Sequence, residues 1–496
     1  MEFDIDSGIF IGFLVATIIL GLASSSGIKN IKEYAIGNRN FSTATIAATI
    51  IATWISGDFF YNTISNTYHK GLYSVWVDIG SPISLLIYGL FFAPRVGEFL
   101  GKLSIADAMG GLFGQKVRVI TAISGFIGTA GLIAVQLKLS GLIFGYSLGI
   151  SNIYGITLAA VVVTLYSSLG GIKSVTFTDV LQFFTFAVVI PIIAYVLLNS
   201  IDTVDSITNT LTTHKLFDYK EVFGFSNQLS FYQFFLFLFF ICPGFSPAIF
   251  QRIAMAKSIT QVKQSFIIAA VTCFILLLIL DWIGVLTLAI DPTLKANDVI
   301  KHIIFTPTYI IGFKGLILAG FMATIMSTVD SWINSASVLI VHDFLKPLNL
   351  EFNKSELFSA RIVSLIIGVF SLFLSLQEGT LQEILIKTYS FYMPVVTVPF
   401  IMALFGFRSS GKSVILGMAA GISTVLVWDY ILQIKIANSI PFAMLSNLVV
   451  LMSNHYLFRQ PGGWIGIKDK SGLIQVRRER RRRLRQLWSD IKSFNL

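Results

Sequence analysis

The sequence predicts an all-α polytopic membrane protein, on three observations. Of 496 residues, 55% are hydrophobic and only 12% charged, with a mean hydropathy of +0.78. A soluble domain carries roughly 25% charged residues, and half that share leaves too little polar surface for a water-soluble body of this size. The apolar residues fall in runs near the roughly 20 residues that cross a bilayer core as a helix. The same figures exclude a solenoid, a disordered chain and a secreted disulfide scaffold. Cys242 and Cys273 both lie inside apolar segments, so no disulfide framework is implied.

Thirteen spans are expected, near 8–24, 42–66, 75–98, 119–146, 152–168, 177–199, 228–251, 264–290, 308–341, 358–376, 381–407, 411–433 and 437–457. The acidic start MEFDIDSG lacks the basic region of a cleavable signal, so the first run is read as a helix that stays. Placing the N-terminus outside puts fifteen Lys and Arg in the inside loops and six in the outside loops. Adding Lys314, Arg361 and Lys387, near span ends, gives sixteen against eight. The positive-inside rule then gives N-out and C-in, which an odd number of spans satisfies. From Lys468 to Leu496, ten basic residues face three acidic ones, so this tail carries +7 of the net +10. If helical, it pairs an Arg-rich face with Leu484, Leu487, Trp488 and Ile491, a pattern suited to an anionic inner leaflet.

No segment reads as a catalytic domain outside the membrane. The longest loops are 200–227 outside and 342–357 inside. There is no phosphate-binding glycine loop, metal-ligand cluster or nucleophile elbow, and the five histidines are scattered near helix ends. An enzyme, a nucleic-acid partner and an organic cofactor are therefore not expected.

Polar residues inside spans are costly and point to function. Asp58, Lys138 and Asp281 lie on three different spans, each about 6–8 Å outward of the midplane at ~1.5 Å per residue. That shared depth suggests one polar cavity, with outward snorkelling or structural pairing as the alternatives. Two spans also carry helix breakers: Ser56-Gly57 in the second and Pro243-Gly244-Phe245-Ser246-Pro247 in the seventh. Unwound backbone at membrane depth survives only where it is buried or lines a wet cavity. Interrupted helices at matching positions of two halves mark a transporter binding site. Their offset of five spans predicts two inverted five-helix repeats, 42–200 and 201–407, the second with a preceding outside loop. Around them lie an N-terminal extra helix with the first inside loop (1–41), two extra helices (408–457) and the tail (458–496). The ninth span holds FMATIMSTVDSWINSAS, residues 321–337. Its hydroxyls and acid recur on one helical face, the hard oxygen chemistry of a small cation site.

YSSLGGIKSVTFTDVLQ, residues 166–182, closely resembles the signature of the sodium/solute symporter family, through Tyr166, Ser167, Gly170, Gly171, Thr178, Asp179 and Gln182. Similarity continues through ATWISG (52–57), FQR (250–252) and IMSTVDSWINSAS (325–337). The resemblance implies a LeuT-like core, sodium as coupling ion, uptake of a small organic solute by alternating access, and a plasma (inner) membrane location. It implies a sodium site from the carbonyls of Ala52, Ile55 and Thr324 and the hydroxyls of Ser327 and Thr328. Some members add a second sodium, here matched to Asp179, Ser327, Asp330 and Ser331, with Asp330 standing where some relatives have a hydroxyl. For the solute, ATW and the stretch Leu90 to Ala93 look most like the choline-transporting branch. Trp54 would form an aromatic wall, with Phe59, Phe245 or Tyr392 nearby. That branch has a Trp where the seventh-span break here reads Phe-Ser-Pro. Sugar-transporting relatives have a Gln where Phe59 stands, which argues against a sugar. Asp58 with Lys138 would suit an amino-acid-like zwitterion, ranked ahead of a choline-like cation. The competing reading is a solute-sensing relative that signals through its basic tail.

Overall fold

The computed structural model describes residues 4–466, apart from 202, 225–227, 296–297, 306–310, 351–354, 378–380 and 435–437, together with a few residues between 478 and 486. Most of the basic tail therefore lies outside the described residues.

The chain is a helical bundle. It opens with α1 (Ile5–Ser24), capped by the Asp4 side chain on the Ser7 amide, and a short α2 (Ile31–Ile36). Helices α3 (Thr43–Trp54) and α4 (Gly57–Lys70) form one span bent by 56°. A continuous segment follows from α5 (Leu72–Asp78) through α6 (Gly80–Ile87) to Arg95, and α7 (Ile105–Phe113) leads into the long α8 (Gln115–Leu148). Helix α9 (Asn152–Asn199) is interrupted at Gly171, whose φ of 52° and ψ of −160° are not helical. The interruption falls between the expected spans 152–168 and 177–199. A Cβ at 171 would also meet the Tyr34 carbonyl oxygen at 2.8 Å, so glycine serves both the turn and the close approach.

Short helices α10 (Val204–Thr213) and α11 (Tyr219–Phe223) precede the second broken pair, α12 (Gln228–Ile241) and α13 (Pro247–Ala254). Phe245 in that break has φ +48°, Ser246 caps α13, and Pro247 fills the first-turn position that needs no amide donor. Then come α14 (Ile259–Ile290), α15 (Val299–Phe305), α16 (Phe313–Val338), α17 (Glu356–Ser375), α18 (Leu381–Tyr392) and α19 (Val398–Leu404). Helices α20 (Gly411–Leu426) and α21 (Ser439–Leu457) close the bundle. A two-residue antiparallel pairing sets Phe407 opposite Trp464 and Arg408 opposite Gly463.

Among the described residues, nine helices are long and apolar enough to cross a membrane, or ten when the bent pair α3–α4 counts as one span. The expected count of thirteen separated the two parts of α9 and included α12–α13 and α18–α19, which are split into shorter helices.

Burial sorts the helices by position. The span from Phe313 to Leu348 is 94% buried, whereas α1, α20 and the α21 span are only 28% buried. Helix α16 is therefore the axis of the bundle, packed against α8, α9, α1, α17, α3 and α4. Exposed Leu, Ile, Val and Phe cover the peripheral helices, as lipid-facing surfaces require. The end of the bundle bearing Lys70 and Asp291 is called the vestibule end below.

Candidate functional site

Breaking a helix strips its last carbonyls and first amides of partners. At the α3–α4 break, Ile55 has φ −85° and ψ 82°, so the chain leaves the helix there. The Ala52 carbonyl instead accepts from Ser327 Oγ of α16 at 2.8 Å. Ser327 Oγ also lies 3.2 Å from the Thr324 carbonyl, to which Thr328 Oγ1 donates at 2.9 Å. Four of the five oxygens expected for a sodium ion thus sit within hydrogen-bond reach of one another, with Ile55 at the break itself. Hydroxyls that donate to carbonyls here would turn their lone pairs to a cation, a hard-oxygen set that fits sodium.

On the other side of the break, Gln136 of α8 accepts from the Gly57 amide at 3.0 Å and donates to Asp58 Oδ1. Ser56 Oγ donates to the same oxygen at 2.5 Å. A Cβ at Gly57 would lie 2.3 Å from Ile325 Cγ1, so the break fits against α16 only with glycine there.

A cavity of about 1390 Å3, counting its open mouth, runs from this break toward the vestibule end. Asp58, Trp54, Phe59 and Thr328 line it, so of the five residues expected to supply oxygens to sodium, Thr328 borders it. Trp54 Nε1 donates to Ser81 Oγ at 2.6 Å, and its ring meets Tyr88 edge-on at 6.4 Å. Phe59 packs edge-on against Phe240 at 5.8 Å, and Phe239 against Tyr389 at 5.6 Å. Tyr389, Trp332, Phe239 and Phe240 complete aromatic walls. Lys70 and Asp78 line the outer part. At ~1.5 Å per residue, Lys70 lies about 18 Å along α4 from Asp58.

Three residues expected at the solute do not line this cavity. Lys138 Nζ donates to the Gln377 carbonyl at 2.8 Å, so it does not pair with Asp58. It stands two residues after Gln136, about 200° around the same helix, and Gln136 is the one that meets Asp58. Phe245 is fully buried behind the wall, edge-on to Tyr88, Phe92 and Phe400 at 4.8–5.0 Å. Tyr392 spends its hydroxyl on the Phe245 carbonyl at 2.5 Å, pinning the second break. The tyrosine of α18 that lines the cavity is Tyr389, one turn earlier. Asp281 also lies off the cavity lining.

The second expected ion position holds a residue that sequence reading assigned to an inside loop. Arg252 of α13 is fully buried, and its Nη2 lies 3.2 Å from Asp179 Oδ2, 3.0 Å from Thr49 Oγ1, 3.1 Å from Thr53 Oγ1 and 2.5 Å from Ser331 Oγ. Thr49 Oγ1 also donates to Asp179 Oδ2. Asp330 Oδ2 accepts from Tyr166 at 3.0 Å and Thr178 at 3.1 Å. With both buried carboxylates ionised, one guanidinium would leave one negative charge. Asp179 Oδ1 and Asp330 Oδ1 have no hydrogen-bond partner, so two oxygens stay unspent. Ser331 is held by Arg252, and Ser327 belongs to the first set of oxygens. The signal for Arg252 was present in AIFQRIAMA: apart from Gln251, the residues around the arginine are apolar rather than those of a polar loop.

The sodium:solute symporter family profile matches residues 34–421. The chain belongs to that family. It is 24% identical to a sodium/glucose cotransporter of Vibrio parahaemolyticus, over 90% of this chain and 91% of that one. It is equally identical to sodium/proline symporter 2 of Staphylococcus saprophyticus, over 85% of both. A Caenorhabditis elegans high-affinity choline transporter is 29% identical, over 33% of this chain and 28% of that one. In fold, the chain resembles a Na+-coupled sialic acid symporter solved in an outward-open, substrate-bound state, with a TM-score of 0.80 at 20% identity over 93% of this chain and 99% of that one. The architecture is the LeuT-like fold of Na+-coupled transporters, in an integral multi-pass membrane protein.

Proposed function

We propose that this symporter takes up a small solute bearing an ammonium group, with sodium as the driving ion and the vestibule end facing outside. The observation that carries the solute class is Asp58: a carboxylate at the deep end of an aromatic-walled cavity whose one basic lining residue among the described residues, Lys70, lies about 18 Å away. A carboxylate with Trp54, Tyr389 and Trp332 around it suits a cationic head, through ion pairing and cation–π attraction. With Lys138 bonded elsewhere, the order of the two solute readings reverses: a choline-like cation now precedes an amino-acid-like zwitterion. Phe59 packs its ring into the wall where a sugar would need a hydrogen-bonding group.

Mechanistically, sodium held by Ala52, Ile55, Thr324, Ser327 and Thr328 ties α3 to α16. It thereby fixes the break on which Trp54 and Asp58 stand, which couples ion to solute without direct contact. Asp179 and Asp330 supply the unspent oxygens for a second sodium. Arg252 neutralises the remaining charge. The N-out, C-in orientation and a plasma-membrane location belong to this reading.

The test is a solute panel in proteoliposomes: a quaternary amine, a zwitterionic amino acid and a neutral sugar, each with wild type and Asp58→Asn. Uptake of the amine, with KM raised at least tenfold in Asp58→Asn, is expected. Sugar uptake indifferent to Asp58→Asn would overturn the solute class. Binding without uptake would favour the sensor reading.

A further inference from the structure

A second pair of carboxylates lies toward the vestibule end, away from both sets of oxygens described above. Asp281 of α14 is 3% exposed and Asp78 of α5 is 8% exposed. Thr67 Oγ1 donates to Asp281 Oδ1 at 2.6 Å. The hydroxyls of Thr63 and Ser74 face Asp78, the latter at 3.5 Å. Thr63 and Thr67 are four residues apart, neighbours on one face of α4, so they bring the two acids within a helical turn of each other. The approach is enforced by Gly284, where a Cβ would meet the Ile64 carbonyl oxygen at 2.7 Å and Thr67 Cβ at 2.9 Å. Asp281 Oδ2 is buried with no hydrogen-bond partner. The cation within electrostatic reach is Lys70, which faces Asp78 and is half-buried. Two buried carboxylates against one lysine leave a negative charge, and burying it unpaired is too costly to persist.

We propose that Asp78 and Asp281, with Thr63 and Thr67, form an outer site for a monovalent cation, a sodium ion or a proton shared between the carboxylates. Asp78 and Thr63 line the open cavity, so the site is loaded from the same vestibule the solute enters. Carboxylate and hydroxyl oxygens are the donors a hard cation selects. The site concerns ion loading only and stands whichever solute the deep cavity takes.

Trp282 follows Asp281 directly and Trp76 stands two residues before Asp78, and both serve as fluorescence reporters. Full-length protein is titrated with sodium chloride at fixed pH, and with acid at fixed sodium, in the absence of solute. If sodium is the occupant, Asp281→Asn raises the sodium midpoint at least threefold. If a proton is the occupant, the wild-type signal responds to acid at fixed sodium and the variant's does not. Thr67→Val keeps both acids and moves the same readout in the same direction by a smaller factor; it decides the matter if Asp281→Asn does not fold. Wild-type behaviour in both titrations, or a sodium shift that vanishes in Thr328→Ala protein, overturns the site. Neither outcome depends on uptake, so a failed solute assignment leaves it intact.

Discussion

At the scale of single residues, the account rests on which oxygens are already spent. Ser327 and Thr328 donate to the Ala52 and Thr324 carbonyls, which leaves the hydroxyl lone pairs for the proposed cation. Removing one ligand of a five-oxygen set is expected to cost about 1–3 kcal/mol of ion affinity, the penalty for unsatisfied buried polar groups. Ser327→Ala or Thr328→Ala should therefore raise the half-saturating sodium concentration roughly 5- to 140-fold, by the rule of tenfold per ~1.4 kcal/mol. Solute KM at saturating sodium should stay within twofold. Flux measured against sodium concentration checks this. Arg252 tests the inner cluster differently. Arg252→Gln leaves Asp179 buried without its guanidinium and should destabilise the fold by about 3–5 kcal/mol, the cost of breaking a buried pair. The double variant Arg252→Gln, Asp179→Asn should recover much of that loss, and thermal unfolding of the three variants in detergent measures it. Recovery would identify a charge pair; additive losses would make Arg252 a packing residue.

The residue scale is also where sequence reading fell short. Asp58 was legible because a short acid beside a glycine break has nowhere to snorkel. Lys138 was misplaced because depth along a helix is readable from sequence but azimuth is not: Gln136 and Lys138 lie at nearly one depth and face opposite ways. Tyr389 and Tyr392 differ by one turn of the same helix, and sequence alone does not say which of the two reaches the cavity. Asp78 went unremarked near a span end, where acids are common.

At the scale of elements, three interruptions organise the bundle: Ile55–Ser56, Cys242–Ser246 and Gly171. The first two were legible, because glycine and proline carry their conformational meaning in the residue itself; the third falls in the loop expected between spans 152–168 and 177–199. Gly57→Ala forces a methyl group into Ile325 Cγ1 and should separate α4 from α16. Sodium affinity and solute affinity are expected to fall together, because the break holds both. Binding measurements that show one falling alone would contradict that coupling. Gly171→Ala must adopt φ +52° against Tyr34, so lower expression and thermal stability are expected, with residual protein keeping wild-type sodium dependence.

At the scale of the whole molecule, composition and hydrophobic runs were sufficient for a multi-pass helical bundle, and the repeated break pointed to two related halves. What composition does not encode is which helix becomes the axis. Helix α16 is the most buried span, and it carries Ser327, Thr328 and Asp330 on one element, so the proposed ion sites would act on the centre of the bundle rather than on its lipid-facing rim. The central claim is that a sodium gradient drives solute entry through that axis. It is tested most directly by uptake of a radiolabelled quaternary amine into proteoliposomes with sodium imposed on the outside only, comparing wild type with the Ser327→Ala, Thr328→Ala double variant. The account predicts concentrative uptake by wild type that collapses when the gradient is abolished, and a double variant that needs at least tenfold more sodium for the same rate. Equal uptake with potassium replacing sodium, or a double variant with wild-type sodium dependence, would contradict it.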